Sequence, residues 1–224
     1  ILNDDCSSVI ALMQWGSPGT GDGQFINPID VAVDAGGNIY VCESSGGDRI
    51  QKFDGNGNFL LKWGSEGTGD GQLLGPQAVA VDAAGNVYVA DFGNHYIKKF
   101  DANGNFLLKW SKTLPTGIAV DAAGHVFVSS PYGVQIGKYD SNGNLLHEWG
   151  SFGTGDGQFN GYTRVAVDAA GNVYVAEGSY DPDRNNNRIQ KFDGNGNFLF
   201  KWGSKGTGDG QSVPMGIAAD AAGY

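Results

Sequence analysis

Apolar residues along the chain fall into short stretches with a period of two, and turns rich in Gly, Asp and Asn separate these stretches. Such alternation is typical of β-strands, because successive side chains of a strand point to opposite faces of a sheet. The segments RIQKF at 49–53 and NFLLKW at 58–63 show it clearly. No apolar period of 3.6 residues, which would indicate helices, is visible. We therefore predict an all-β chain.

One phrase recurs along the chain at a nearly constant distance. It reads VAVDAGGNIYV at 31–41, VAVDAAGNVYV at 79–89, IAVDAAGHVFV at 118–128 and VAVDAAGNVYV at 165–175, and a shortened copy begins at Ile217. A period of about 40–50 residues is typical of one four-stranded propeller blade. The spacings are 48, 39, 47 and 52 residues, as counted between Asp34, Asp82, Asp121, Asp168 and Asp220.

A second phrase follows each complete copy of the first, at 49–64, 96–110, 135–150 and 188–203. Each copy contains a turn of the form Asp-x-Asn-Gly-Asn, which predicts a tight hairpin because Gly and Asn tolerate positive φ. Two copies are almost identical, since 50–72 and 189–211 differ only at Leu61/Phe200 and Glu66/Lys205. This identity indicates the duplication of a whole unit.

The two phrases divide each unit into four strands, which we call a to d. Strand a is the VAV-type segment, strand b is NVYVA, strand c is RIQKF and strand d is NFLLKW. Each such sheet has two apolar faces, and neighbouring sheets arranged in a circle would bury them. We predict a single domain over 1–224, a β-propeller of four-stranded antiparallel blades. Its four complete blades are expected at 28–64, 76–110, 115–150 and 162–203.

Several motifs together resemble the NHL repeat. They are Pro-x-x-[Val/Ile]-Ala-Val-Asp, Gly-Asn-[Val/Ile]-Tyr-Val-Ala, Asn-x-Arg-Ile-Gln-Lys-Phe-Asp and the bacterial-style connector Gly-Ser-x-Gly-Thr-Gly-Asp-Gly-Gln, which begins at 16, 64, 150 and 203. The Asn-x-Arg-Ile signature is intact only at 186–189, while Tyr96 and Gln135 replace its Arg elsewhere. The third blade has only a short connector, 111–114. The resemblance implies a propeller fold, and it does not specify a function because one fold hosts many.

Both ends of the chain carry incomplete blades. Residues 9–15 are predicted to form a lone strand d, and 214–224 the start of a further blade. The resemblance implies five or six blades in a complete ring. We therefore favour a fragment of a longer propeller. The alternatives are a ring that closes imperfectly and a ring that closes between chains, with oligomers formed through the incomplete blades.

The chain has a net charge of −10, so it lacks the overall excess of basic residues that is typical of proteins that bind nucleic acid or an anionic membrane surface. We therefore expect no nucleic-acid partner. No apolar stretch reaches the roughly 18 residues of a membrane span. No signal peptide opens the chain, although one could already have been removed, and an extracellular or periplasmic bacterial protein is favoured. Cys6 and Cys42 are interpreted as small core-filling thiols, with a disulfide between them as the alternative.

The b–c loops vary most among the repeats, at 43–49, 91–96, 129–135 and 177–188. Loop variation on a nearly constant scaffold indicates a candidate site, and ordinary loop variation is the alternative. Aromatic and charged side chains in these loops suit contact with a peptide or a carbohydrate. The predicted ligand-binding residues are Phe92, His95, Tyr96, Tyr132, Tyr180, Asp181, Asp183 and Arg184.

Other charged groups in the loops have a structural interpretation. Glu43 with Arg49, and Glu177 with Arg188, are expected to form ion pairs that brace their loops. The Asp-Gly-Asn-Gly-Asn turns lack the later bidentate Glu of a calcium loop. The Gly-rich connectors lack the helix N-terminus of a phosphate site. We predict no metal and no cofactor.

The histidines His95, His125 and His147 fall on different parts of the blades, which argues against a shared catalytic site. We predict no catalytic residue and favour a non-catalytic interaction propeller that binds a protein, peptide or glycan on the b–c loop face. One alternative is a structural or surface-assembly protein. Another is a propeller lyase or hydrolase with a metal at the channel mouth, since the resemblance extends to propellers such as the peptide-amidating lyases.

Overall fold

The computed structural model of the chain describes residues 14–130, 135–178, 186–206, 208–211 and 213–219. These residues form strands and turns without a helix, so the predicted all-β class is confirmed. Four antiparallel four-stranded sheets follow one another along the chain in the arrangement of propeller blades. Most of the predicted strand at 9–15 lies outside the described residues, as do Cys6 and 220–224.

Each blade contains four consecutive strands in the order a, b, c, d. Blade 1 consists of β3 (Pro28–Val33), β4 (Ile39–Glu43), β5 (Arg49–Phe53) and β6 (Phe59–Trp63). Blade 2 consists of β7 (Pro76–Val81), β8 (Val87–Asp91), β9 (Tyr96–Phe100) and β10 (Phe106–Ser111). Blade 3 consists of β11 (Gly117–Val120), β12 (Val126–Ser130), β13 (Gln135–Tyr139) and β14 (Leu145–Trp149). Blade 4 consists of β17 (Tyr162–Val167), β18 (Val173–Gly178), β19 (Arg188–Phe192) and β20 (Phe198–Trp202).

The Gly-rich connectors fold back on themselves as small parallel pairs. β1 (Ser17–Pro18) pairs with β2 (Gln24–Phe25), and β15 (Ser151–Phe152) pairs with β16 (Gln158–Phe159). Single bridges, Glu66 to Leu73 and Ser204 to Gln211, mark the same arrangement in the other two connectors. Inside each connector, the side chain of the final Gln accepts a hydrogen bond from a Gly N–H three residues earlier.

Aspartate turns join strands a and b and strands c and d. In the first a–b turn, Asp34 Oδ1 accepts the N–H groups of Gly36 and Asn38, each at 2.9 Å. Asp34 Oδ2 accepts the Asn38 amide and the Tyr40 hydroxyl. The same carboxylate pattern, without the hydroxyl contact, recurs in all four c–d turns. Repetition of these aspartates therefore reflects turn formation.

The core lies between successive blades. Tyr40, Cys42 and Ile50 of blade 1 pack on the facing side of blade 2, which presents residues such as Val79 and Phe100. Equivalent clusters join blade 2 to blade 3 and blade 3 to blade 4. Blades 2 and 3 thus bury apolar residues on both faces, as blades packed in a circle require.

A tryptophan at the end of strand d connects each blade to the next one. Trp63 lies edge-on to Tyr40 of its own blade, with centroids 6.3 Å apart, and tilts against Phe100 of blade 2 at 6.0 Å. Its ring also lies over Gly104 in the c–d turn of blade 2, where an added Cβ would come within 2.8 Å of the indole. Trp15, Trp110 and Trp149 lie over Gly57, Gly143 and Gly196 in the same way.

A lysine of strand c supports each of the three joints between complete blades. Lys52 Nζ lies 5.0 Å from the Tyr40 ring centroid and donates a hydrogen bond to the carbonyl of Ala102 in the next blade. Lys99 and Lys138 make the same contacts, to the carbonyls of Ser141 and Gly194. We call the tryptophan and lysine of one blade, together with the c–d turn of the next, the blade latch.

The outer faces of the first and last blades are partly open. Val31 and Val33 of blade 1 are 58% and 61% exposed, whereas Val79, the counterpart of Val31 in blade 2, is 4% exposed. On blade 4, Trp202 is 41% exposed, against 9% for Trp149. Trp202 and Lys191 therefore have no c–d turn of a following blade to contact among the described residues.

Candidate functional site

The b–c loops and the d–a connectors lie together at one end of the blades. In blade 1, Arg49 Nε donates to Glu43 Oε1 at 2.7 Å, and both side chains are buried. The same guanidinium donates to the carbonyls of Thr20 and Gln24 in the connector. Gln51 completes the group by bonding to Glu43 and to connector backbone. We call this arrangement the connector clamp.

Blade 4 repeats the connector clamp. Arg188 Nε lies 2.9 Å from Glu177 Oε1, and its other nitrogens donate to the carbonyls of connector residues 154, 155 and 158. Blade 2 uses a buried variant, in which Lys98 lies 2.9 Å from Asp91 and bonds to the carbonyls of Gly69 and Gln72. The charged groups predicted as loop braces thus hold the connectors in place.

Blade 3 lacks both the clamp and the long connector. Ser130 and Gln135 occupy the strand positions that Glu43 and Arg49 hold in blade 1. The short link that precedes blade 3 leaves a cavity of about 260 Å³, with Lys112 and Glu148 joined across 2.8 Å at its edge. We call this cavity the blade 3 groove; its lining is Ser111, Lys112, Thr113, Ser130, Gln135, Tyr139 and Glu148.

Three predicted ligand residues lie in the blade 2 loop beside this groove. Phe92 and Tyr96 are half-buried, and His95 is exposed with a left-handed φ of 59°. His95 Nδ1 accepts the N–H of Leu114, and its carbonyl accepts the N–H of Lys112. The ammonium group of Lys109 covers the Tyr96 ring at 5.0 Å. The loop therefore supports one wall of the groove.

The remaining predicted ligand residues lie outside the described residues, namely Tyr132, Tyr180, Asp181, Asp183 and Arg184. Cys42 is a buried free thiol, and burial raises its pKa well above the usual range. The other two histidines have separate partners. His125 Nδ1 lies 2.8 Å from Asp121 Oδ2, and His147 stacks on Trp149.

A second cavity, of about 310 Å³, lies on the propeller axis between the a strands. Asp30 and Arg164 line it at equivalent positions of blades 1 and 4, where blades 2 and 3 carry Ala78 and Gly117. Asp30 accepts the N–H of Val79 at 2.9 Å, and burial raises the pKa of its carboxyl group. These two residues were not among the predicted site residues, because strand a was defined by its apolar VAV-type segment.

Among the described residues, no group of three or more His, Cys, Asp or Glu side chains is arranged to hold a metal ion. The same part of the chain has no helix that is long and apolar enough to cross a membrane.

The sequence of blades 1 and 2 matches a known family. Residues 25–53 and 73–100, which cover strands a to c of the two blades, match the NHL repeat. Blades 1 and 2 therefore carry NHL repeats, and the predicted resemblance to this repeat is confirmed. A comparison with curated protein sequences finds no significant match.

Solved propeller structures are similar to the chain in fold. Virginiamycin B lyase from Staphylococcus aureus superimposes with a TM-score of 0.63 at 14% identity, over 86% of this chain and 60% of the lyase. A streptogramin B lyase gives 0.64 at 15%, over 92% of this chain and 62% of that one. A Bacteroides caccae protein of unknown function gives 0.58 at 14%, over 78% and 66%. The chain thus spans about three fifths of the length of these lyases, and such identities show the fold alone.

Proposed function

We propose that the chain is a non-catalytic interaction propeller that binds an extended peptide segment of another protein in the blade 3 groove. The observation that carries this proposal is the missing connector. In the other three blades, a stretch of the chain's own backbone lies against the b–c end of the sheet. At blade 3 the corresponding space is a cavity of about 260 Å³.

The chemistry of the groove favours a peptide over a glycan. Lys112, Glu148 and Gln135 offer donors and acceptors, and the two charged groups supply both charge signs, as a peptide backbone with polar side chains requires. Glycans are commonly held on exposed aromatic faces, whereas Tyr139, the one aromatic side chain among the described lining residues, is 6% exposed. Burial, followed by the charge of Glu148, raises the Tyr139 pKa to about 12, so its hydroxyl remains a donor.

A binding role without catalysis is further supported by how the loop charges are used. Glu43, Arg49, Glu177 and Arg188 all bond to connector backbone or to one another. A carboxylate whose oxygens are occupied by fixed donors is poorly placed to transfer protons to a substrate.

The test is selection from a random peptide library on the immobilised chain, followed by affinity measurement with the selected soluble peptides. We expect Lys112→Ala and Gln135→Ala to weaken binding by about tenfold or more, because each removes a hydrogen bond to the ligand. Lys62→Ala is the matched control, since Lys62 forms an exposed ion pair with Asp22 far from the groove. Equal affinities for all three variants, or ligands found only on a glycan array, would overturn the proposal.

A second candidate function is assembly, favoured by the open outer faces of blades 1 and 4. The occupant we propose for each face is a second copy of this chain. Trp202 and Lys191 of one copy would displace Trp15 from Gly57 and contact the c–d turn of blade 1 in the next copy. The three internal blade latches provide the pattern for this contact, and such a head-to-tail interface builds rings or filaments.

Light scattering over a range of protein concentrations tests assembly. We expect a concentration-dependent mass that Trp202→Ala reduces to that of the monomer. Leu107→Ala removes a similarly exposed apolar side chain from the edge of blade 2 and is expected to change nothing. A monomer at all concentrations excludes this candidate and leaves the peptide proposal untouched.

A further inference from the structure

One equivalent position of the a strands, which line the central cavity, carries different residues in different blades. Neither turn formation nor core packing requires this difference. The strand-a position directly before the central Val-Ala or Ile-Ala pair is Asp30 in blade 1, Ala78 in blade 2, Gly117 in blade 3 and Arg164 in blade 4. Gly216 of the last described segment lines the same cavity. Two opposite charges thus share a layer with three very small residues.

The two charged groups lie near each other without making an ion pair. Burial lowers the pKa of Arg164, and the nearby negative charge of Asp30 opposes this lowering. Salt bridges found among the described residues nevertheless do not include an Asp30–Arg164 pair. A gap therefore separates a carboxylate from a guanidinium inside one cavity.

The Arg164 guanidinium also has an unused donor. Its Nη1 atom is buried and has no hydrogen-bond partner among the described residues. Leaving a buried charged donor unpaired is unfavourable, so native structures rarely retain one unless a ligand or water satisfies it. Asp30, by contrast, uses one oxygen for the Val79 N–H and has acceptor capacity left over.

We propose that the central cavity binds a small zwitterion of the α-amino acid class, with its carboxylate on Arg164 and its ammonium group on Asp30. A zwitterion supplies an anion and a cation a short distance apart, and so it satisfies both groups at once. The cavity of about 310 Å³ is at the small end of ligand pockets, which suits one amino acid or a short dipeptide. Ala78, Gly117 and Gly216 leave the space that this ligand occupies.

Close packing between two strands explains why Gly117 is small. A Cβ on Gly117 would lie 3.1 Å from the Arg164 Cα and 2.6 Å from Ser129 Oγ. The close approach of β17 to β11 therefore explains Gly117, while neither contact explains the charges of Asp30 and Arg164. This site is separate from the blade 3 groove, so a negative result at one site does not affect the proposal for the other.

The test is isothermal titration of the full chain with the common free L-amino acids and with alanyl dipeptides. Propionate and propylamine serve as probes that carry only one of the two charges. We expect at least one zwitterion to bind, and both single-charge probes to bind at least about tenfold more weakly. Binding of propionate as tightly as the best amino acid would reduce the site to an anion site and overturn the proposal.

Conservative variants locate the bound molecule. Arg164→Gln and Asp30→Asn are each expected to weaken binding by about tenfold or more, and Arg164→Lys to restore part of it. Lys62→Ala is the control, because it removes an exposed charge elsewhere. Circular dichroism establishes that each variant is folded, and Asp30→Asn retains an oxygen for the Val79 N–H. The absence of binding by every zwitterion, or binding unchanged in both Arg164→Gln and Asp30→Asn, would refute the site.

Discussion

Single aspartates organise the turns at the end of the blades opposite to the b–c loops. Asp168 illustrates the pattern, because its buried carboxylate accepts two backbone N–H groups, the Asn172 amide and the Tyr174 hydroxyl. A short polar side chain that bonds to the following backbone fixes a turn locally. The repeat of Asp along the sequence is therefore a structural signature of the blades.

Replacement of this carboxylate should be costly. We expect Asp168→Ala to lower the free energy of unfolding by about 1–3 kcal/mol. The substitution leaves several donors unsatisfied, including the buried hydroxyl of Tyr174. Asp156→Ala is the control, since Asp156 is exposed and pairs with the exposed Lys201, and it should change stability by less than about 1 kcal/mol. Urea unfolding followed by tryptophan fluorescence measures both. Equal destabilisation would contradict this role of the turn.

The c–d turns predict a loss of stability in acid. The Asn side chain four residues later, and then its backbone N–H, lower the pKa of each turn aspartate below its usual 3.8, at Asp54, Asp101, Asp140 and Asp193. Because unfolding returns each pKa to its usual value, this stabilisation is complete above that value and is lost as the pH falls through the folded pKa.

Urea midpoints measured from neutral to acidic pH should therefore decline at low pH. The double variant Asp101→Asn with Asp140→Asn removes two of these titrating groups, so its midpoint should decline less steeply. An identical decline in the variant would mean that other carboxylates account for the acid sensitivity.

At the scale of the strands and turns, the blade latch explains why Trp, Lys and Gly recur in fixed positions. The indole bridges the strand-b aromatic ring of its own blade and the strand-c ring of the next blade, as Trp110 does between Tyr88 and Tyr139. The lysine links the same two blades through a carbonyl of the c–d turn. Each joint therefore combines apolar burial with one directed hydrogen bond.

A comparison of two glycines with the same backbone conformation distinguishes the contribution of the blade latch to stability from the cost of a left-handed backbone. Gly143 and Gly124 both have φ of +83°, but an added Cβ meets the Trp110 ring at 2.7 Å only at Gly143. We expect Gly124→Ala to cost about 1 kcal/mol for its left-handed backbone. Gly143→Ala should cost about 1–3 kcal/mol more, because the indole must move. Thermal melting of the two variants measures the difference, and equal midpoints would contradict the latch.

The division into blades could be predicted from the sequence because strand alternation and turn residues recur with a clear period. The four sheets and the strands of blades 1 and 2 follow directly from RIQKF-type segments and Asp-x-Asn-Gly-Asn turns. The candidate sites were less predictable. Sequence reasoning noted the short connector at 111–114 and placed Phe92, His95 and Tyr96 near a site. It did not foresee that the missing connector opens a cavity.

The axial charges were missed for a physical reason. Asp30 and Arg164 lie in different blades, 134 residues apart, and each is a single departure within an apolar strand. Only the circular packing of the a strands brings both residues to one cavity. Local patterns carry no information about which blades face each other across the axis, and so such a pair becomes visible only in the assembled fold.

At the scale of the whole molecule, the blades form a scaffold whose two ends differ in character. One end carries short aspartate turns that are nearly identical from blade to blade. The other end carries connectors clamped by buried charges in blades 1, 2 and 4, and a groove in blade 3. An irregular position on an otherwise repeated surface is where an interaction propeller distinguishes its partner.

Hydrogen–deuterium exchange with and without a selected peptide tests this account most directly. We predict that the peptide slows exchange at residues 92–96 and 111–116 and at the ends of β12 and β13, while the turns at 140–144 and 193–197 remain unchanged. The Lys112→Ala chain, exposed to the same peptide concentration, should show little protection. Protection centred on the aspartate turns, or spread evenly over all four blades, would contradict the proposal that the blade 3 groove is the binding site.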